Sequence, residues 1–141
     1  MMNIHEIIKD RSILLPVFLG LILTISSCSE QKPDQGEVAG RAAKLYYEYL
    51  LQGKYDAYVD GFYRPDSIPD SYRSQLVDNA KMFIALQKEE HGGIKSISVA
   101  SAKADTTAKV ANVFLSMTYG DRAKEQILVP MVSHDGQWMM R

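Results

Sequence analysis

Three sets of side chains in this sequence are of types that do chemistry: a lone thiol, two carboxylates among tyrosines, and a few histidines. Cys28 is the only cysteine in 141 residues, and it follows the apolar run "LILTI" and two serines. One thiol cannot close an internal disulfide, and a cysteine-based zinc site needs several thiolates or imidazoles converging. Asp56 and Asp60 stand i,i+4 in "KYDAYVDGFY", beside Tyr55, Tyr58 and Tyr63. Either carboxylate would serve as a general base at a pocket mouth, with a tyrosine hydroxyl to polarise a substrate. Alternatively the two form a solvated helix face, with Asp56 favouring the helix N-terminus. Two carboxylates without a buried partner carry no mechanism, so the solvated face is the preferred reading and no catalytic residue is assigned. Tyr55, Tyr58 and Tyr63 are the candidate binding residues, because a tyrosine buries an apolar ring while its hydroxyl reaches a polar rim. Of the three histidines, His5 lies near the start, His91 precedes Gly92-Gly93, and His134 precedes a turn. No two have the i,i+4 spacing of a helical metal site, and neither metal nor cofactor is expected.

The segments around these residues fix what they can do. From Ile13 to Ile25 the chain reads "ILLPVFLGLILTI", preceded by Lys9 and Arg11. That run is shorter than the roughly 20 apolar residues that cross a bilayer as a helix, and it has the length of a signal-peptide core. Ile25-Ser26-Ser27-Cys28 resembles the lipobox of bacterial lipoproteins. The resemblance implies that residues 1–27 are removed and that Cys28 becomes a lipidated N-terminus. Acyl burial is worth about 0.8 kcal/mol per CH₂, so two or three chains hold a domain durably at a membrane. Neither Ser29 nor Glu30 is the aspartate that keeps such proteins at the inner membrane in enteric bacteria, which favours the outer membrane. Residues 28–37, with Pro33 and Gly36, read as a polar tether. Removing the leader takes away two acids and two bases, so the net charge of −1 is unchanged. Interspersed charges of both signs give no field for nucleic acid.

Residues 38–141 carry the folded part. Val38, Ala42, Leu45, Tyr46, Tyr49 and Leu50 fall at helical spacing over residues 37–52, and Gly53 suits the end. A short helix covers "KYDAYVDGFY". A third begins near Ser67 as N-cap and carries the stripe Tyr72, Leu76, Ala80, Phe83 and Leu86 or Gln87 up to Gly92-Gly93. Beyond the glycines the period changes to two. Ala111, Val113, Leu115, Met117 and Tyr119 alternate, as do Ile127, Val129 and Met131, and Asp135-Gly136 is a hairpin signal before Trp138. Pro130 requires an edge or a bulge. Three helices followed by four antiparallel strands make an α+β domain.

That order, with "YEYLLQGKYDAY", "GGIKSISV" and "GDRAKEQILVPMVSHDGQWMM", resembles the nuclear transport factor 2-like superfamily. More narrowly it resembles the lipoprotein family catalogued as domain of unknown function 4878. The resemblance implies a curved sheet bent around helices into a cone that can hold an apolar ligand. It leaves function open, because members include isomerases, dehydratases and pure binding or dimerisation modules. The preferred reading is a lipid-anchored, non-enzymatic binding module of the cell envelope, with a small apolar ligand or an envelope protein as partner. The second is an isomerase or dehydratase using Asp56 or Asp60. The third is an accessory subunit that forms a homodimer through its open sheet face.

Overall fold

Asp34 starts the first helix: its side chain accepts from the Gly36 amide at 3.0 Å, which satisfies a free donor of the first turn. The computed structural model describes residues 31–141. The leader, Cys28 and His5 lie outside the described residues. Helix α1 runs Gln35–Leu51, α2 Tyr55–Asp60 and α3 Asp70–His91, followed by β1 Ile94–Asp105, β2 Val110–Tyr119, β3 Lys124–His134 and β4 Gln137–Met140. The sheet is an antiparallel meander in the order β1-β2-β3-β4.

Helix α1 begins two residues earlier than the apolar spacing predicts, inside the segment read as tether, because Asp34 supplies the cap. Its buried face also differs. Gly36, Ala39, Gly40, Ala43, Tyr46 and Leu50 are buried, whereas Leu45 is exposed. Small residues win that face because α1 lies so close to β1. A Cβ on Gly36 would stand 2.9 Å from the Ala102 carbonyl oxygen, and one on Gly40 3.1 Å from Val99 Cγ1.

The strand alternation holds: Ala111, Val113, Leu115, Met117 and Tyr119 are buried, as are Val129 and Met131, with Ile127 half-buried. Asn112 and Gln126 face out on the other phase. Register shifts between Ile94 and Ser96 and between Val99 and Ser101 bend β1, as bulges do. Pro130 lies just past the last β3–β4 pair, Met131–Met140, so its missing N–H leaves no gap in the ladder.

After α2, Gly61, Phe62 and Tyr63 run beside the end of β4. Tyr63 N–H donates to Met140 O at 2.7 Å, and Met140 N–H donates to Gly61 O at 2.9 Å. Gly61 leaves room for the buried Tyr46 ring, which a Cβ there would approach to 2.5 Å. Tyr46 in turn donates to Trp138 O at 2.9 Å, tying α1 to β4.

Helix α3 starts at Asp70, with Pro69 as the cap residue, rather than after Ser67. A residue before proline is pushed out of the helical region, so Ile68 cannot join the helix. At the far end Gly92, with φ 72°, stops it. Of α3 only Val77 and Ala80 are buried. Of the expected apolar stripe Ala80 is buried, yet Tyr72 is 48 % exposed, Leu86 47 % and Phe83 36 %.

A two-chambered cleft under the third helix

The uncovered stripe of α3 walls a cleft. Its larger chamber, about 430 Å³, lies between α3 and the α2 segment, floored by Leu50 and lined by Tyr58, Phe62, Tyr63, Tyr72 and Phe83. Arg64 is its one charged lining residue; the guanidinium donates to Val59 O at 3.0 Å and sits 5.9 Å from the Phe62 ring centre. A smaller chamber of about 340 Å³ lies between the C-terminal half of α3, α1 and the sheet. Tyr47, Tyr58, Phe83, Tyr119, Met117 and Ile127 line it, with Gln87 and Glu125 at its polar side. Tyr58 and Phe83 line both chambers and separate them.

Aromatic packing holds this partition. Tyr58 meets Tyr47 and Phe62 edge-on, at 5.6 Å and 5.4 Å between ring centres. Burial raises the Tyr58 hydroxyl above the usual tyrosine value, and its hydrogen bond and proximity to Tyr47 add to the rise. Burial likewise raises Tyr47. Both phenols therefore stay protonated throughout the neutral range.

At the polar side Tyr119 donates to Glu125 Oε2 at 2.6 Å. Burial first and this carboxylate second push Tyr119 up to about 12. The pair is a fixed donor–acceptor unit that orients Glu125 without moving a proton at neutral pH. Behind it the His91 ring tilts against Tyr119 at 4.7 Å, and His91 Nδ1 is 2.8 Å from Asp121 Oδ2. That contact raises His91 and lowers Asp121. The α3 terminus and the β2–β3 turn are joined there by two backbone bonds, Gly120 N–H to Gly93 O and Asp121 N–H to His91 O. The close approach needs Gly120, whose Cβ would come within 2.6 Å of Gly92 O.

The residues singled out from the sequence divide accordingly. Tyr58 lines both chambers and Tyr63 the larger, while Tyr55 lines neither. Asp56 and Asp60 lie outside the cleft, exposed, and both bind Arg73 of α3: Asp60 with two bonds of 3.0 and 2.8 Å, Asp56 with one of 2.7 Å. They clamp α2 to α3. Their hydrogen bonds raise Arg73 above its ordinary value, Asp60 contributing more. His91 stands at the helix end as expected, now with Asp121 as partner; His134 pairs with Asp135 at 3.2 Å and lies against Tyr63. The sequence reading did not single out Arg64, Arg73, Asp121 or Glu125. For Glu125 a signal existed: across a tight β2–β3 turn it pairs with Met117, an inward position.

Among the described residues no group of three acidic, histidine or cysteine side chains is placed to hold a metal, and no helix is long and apolar enough to cross a membrane. No family model and no curated protein matches the chain. Among solved structures, one from Campylobacter jejuni named an NTF2-like transpeptidase aligns with a TM-score of 0.58 and 13 % identity, covering 71 % of this chain and 94 % of that one. The chain has the nuclear transport factor 2-like fold.

Proposed function

We propose that this protein is a lipid-anchored binding module of the cell envelope, favouring the outer membrane, that takes an apolar ligand in the larger chamber. The narrower likeness to the lipoprotein family of domain of unknown function 4878 belongs to the same proposal, which rests on the lipobox-like "ISSC" for the anchor. One observation supports the binding role: α3 leaves a wide apolar stripe uncovered over an open chamber of about 430 Å³. Small-molecule sites typically run to about 300–1,000 Å³, with mostly apolar walls and few polar groups. Folding alone gives no reason to expose such a stripe, whereas ligand burial does.

The lining residues favour binding over turnover. Among the described residues neither chamber is lined by a serine, threonine or cysteine that could act as a nucleophile. Asp56 and Asp60, engaged by Arg73 outside the cleft, are poorly placed as its base. The reading as a dimerising accessory subunit has its own support. Phe114 and Leu128, 40 % and 50 % exposed, are cross-strand partners on the outer sheet face.

Native mass spectrometry of the protein taken from its host membrane tests these points together. The expected result is an acylated chain beginning at Cys28, carrying a small apolar molecule that Asn79→Trp, a plug at an exposed lining position, displaces. A chain beginning upstream of Cys28, or bearing no acyl mass, overturns the anchor. A wild-type protein without ligand, isolated as a dimer that Leu128→Glu dissociates, favours the accessory-subunit reading instead.

A further inference from the structure

Both chambers are ringed by aromatic side chains, and the smaller adds what the larger lacks, an oriented carboxylate. Tyr47, Tyr58, Phe83 and Tyr119 line it with Met117 and Ile127, and Glu125 is its only charged lining residue. Tyr119 fixes Glu125 through Oε2, while Oε1 has no hydrogen-bond partner among the described residues. From these contacts we propose that the smaller chamber binds a methylated alkylammonium cation, of the trimethylammonium type, in an aromatic cage closed by Glu125.

Electrostatics selects the sign. Aromatic faces carry negative potential and attract cations within about 6 Å, most strongly where water is excluded. The Glu125 carboxylate adds to that potential, and Phe83 and Gln87 place the chamber against the C-terminal half of α3, toward the negative end of the helix dipole. His91 is the nearby cation on the Tyr119 side, and Asp121 balances it at 2.8 Å. An anion would meet Glu125. A neutral body would gain nothing from that carboxylate.

Hydrogen-bond supply selects methylated nitrogen over a primary ammonium. A primary ammonium is strongly hydrated and has three donors to satisfy. The carboxylate and amide acceptors of the lining are Glu125 and Gln87 alone, the other lining residues being aromatic rings, Met117 and Ile127. A trimethylammonium group donates no hydrogen bond and spreads its charge over methyl surface, which suits rings, Met117 and Ile127.

The test uses choline against its neutral isostere 3,3-dimethyl-1-butanol, titrated into the full-length protein by calorimetry. Choline is expected to bind saturably and roughly ten-fold tighter than the isostere. Glu125→Gln keeps the shape at an exposed position and should remove most of that preference; Phe83→Leu should weaken choline more than the isostere. Asn79→Trp, which fills only the larger chamber, should leave choline binding intact, so the two chambers fail or succeed separately. Equal affinity for choline and the isostere overturns the proposal. So does the absence of saturable choline binding, or a preference unchanged in Glu125→Gln.

Discussion

Helices α1 and α3 carry apolar stripes of similar length, and the fold treats them in opposite ways. The inner face of α1 is made of Gly36, Ala39, Gly40 and Ala43, so its backbone comes within contact distance of β1 and its larger residues, Tyr46 and Leu50, are buried. The stripe of α3 is made of Tyr72, Leu76, Ala80, Phe83 and Leu86; Ala80 is buried, while Tyr72, Phe83 and Leu86, all large, stay partly exposed. Side-chain size sets the difference. Small residues let a helix settle on a sheet, whereas large ones hold it at a distance that nothing among the described residues fills. The first arrangement makes a core and the second makes a cleft.

The strongest way to break this comparison is to truncate one leucine on each helix. Leu50, 1 % exposed, packs at the floor of the larger chamber. Leu50→Ala is expected to cost about 2–5 kcal/mol of unfolding free energy, the range for large-to-small changes in a core. Leu86→Ala, at a half-exposed site, should stay within about 0.5 kcal/mol of wild type. Chemical denaturation of both variants gives the answer, and equal losses would show α3 to be as much part of the core as α1.

A methyl group added at Gly36 comes next in size. Its Cβ would meet the Ala102 backbone, which cannot swing aside as a flexible side chain would. Gly36→Ala is therefore expected to cost about 1–3 kcal/mol, as overpacking does, although alanine is the better helix former. A stabilised variant would mean that the close contact between α1 and β1 is not what holds the small residues there.

These two cases also show how far the sequence speaks. Period-two spacing from Ala111 to Tyr119 is enough to give β2 and its inner face, because a strand's alternation depends on no distant residue. The α3 stripe is equally legible, but whether anything covers it is not, since periodicity reports which side is apolar and not what opposes it. Leu45 shows the same limit: it fits the apolar spacing of α1 and still lies outside, because glycine and alanine occupy the contact. Arg73 is hidden for another reason. Its partners Asp56 and Asp60 lie across a proline-containing loop, and only the folded path from Gly61 to Pro69 brings them within 3 Å. Of the cleft residues, Tyr58 and Tyr63 are legible as amphipathic rings and Phe83 as part of the α3 stripe, whereas Glu125 depends on the register of a turn.

That clamp offers a sharper probe of how α3 is held. Arg73→Ala should loosen α3 from α2 with little effect on α1, because exposed ion pairs contribute modestly and are screened by salt. Amide exchange in the first turns of α3 should quicken while the α1 amides stay protected, and raising the salt should bring wild type toward the variant. Uniform quickening through both helices would mean that the clamp supports the whole domain.

The smallest effect concerns the other end of α3, where His91 meets Asp121. His91 is raised from 6.5 chiefly by its hydrogen bond to Asp121, with Glu90 and Glu125 adding to the rise. Its contribution is whole below about 6.5 and is lost as pH climbs through the raised folded value. Asp121 is lowered from 3.8 chiefly by His91, so its share is whole above about 4 and is lost as pH falls through the lowered value. The contact is therefore intact at mildly acidic pH and fades toward alkaline pH. Across that upper range the amides of Gly92, Gly93 and Gly120, corrected for intrinsic exchange, should lose protection in wild type. In His91→Gln they should be less protected at the acid end and independent of pH above it. Protection that stays level in wild type would leave the two backbone bonds at Gly120 and Asp121 as the whole attachment of α3 to the β2–β3 turn.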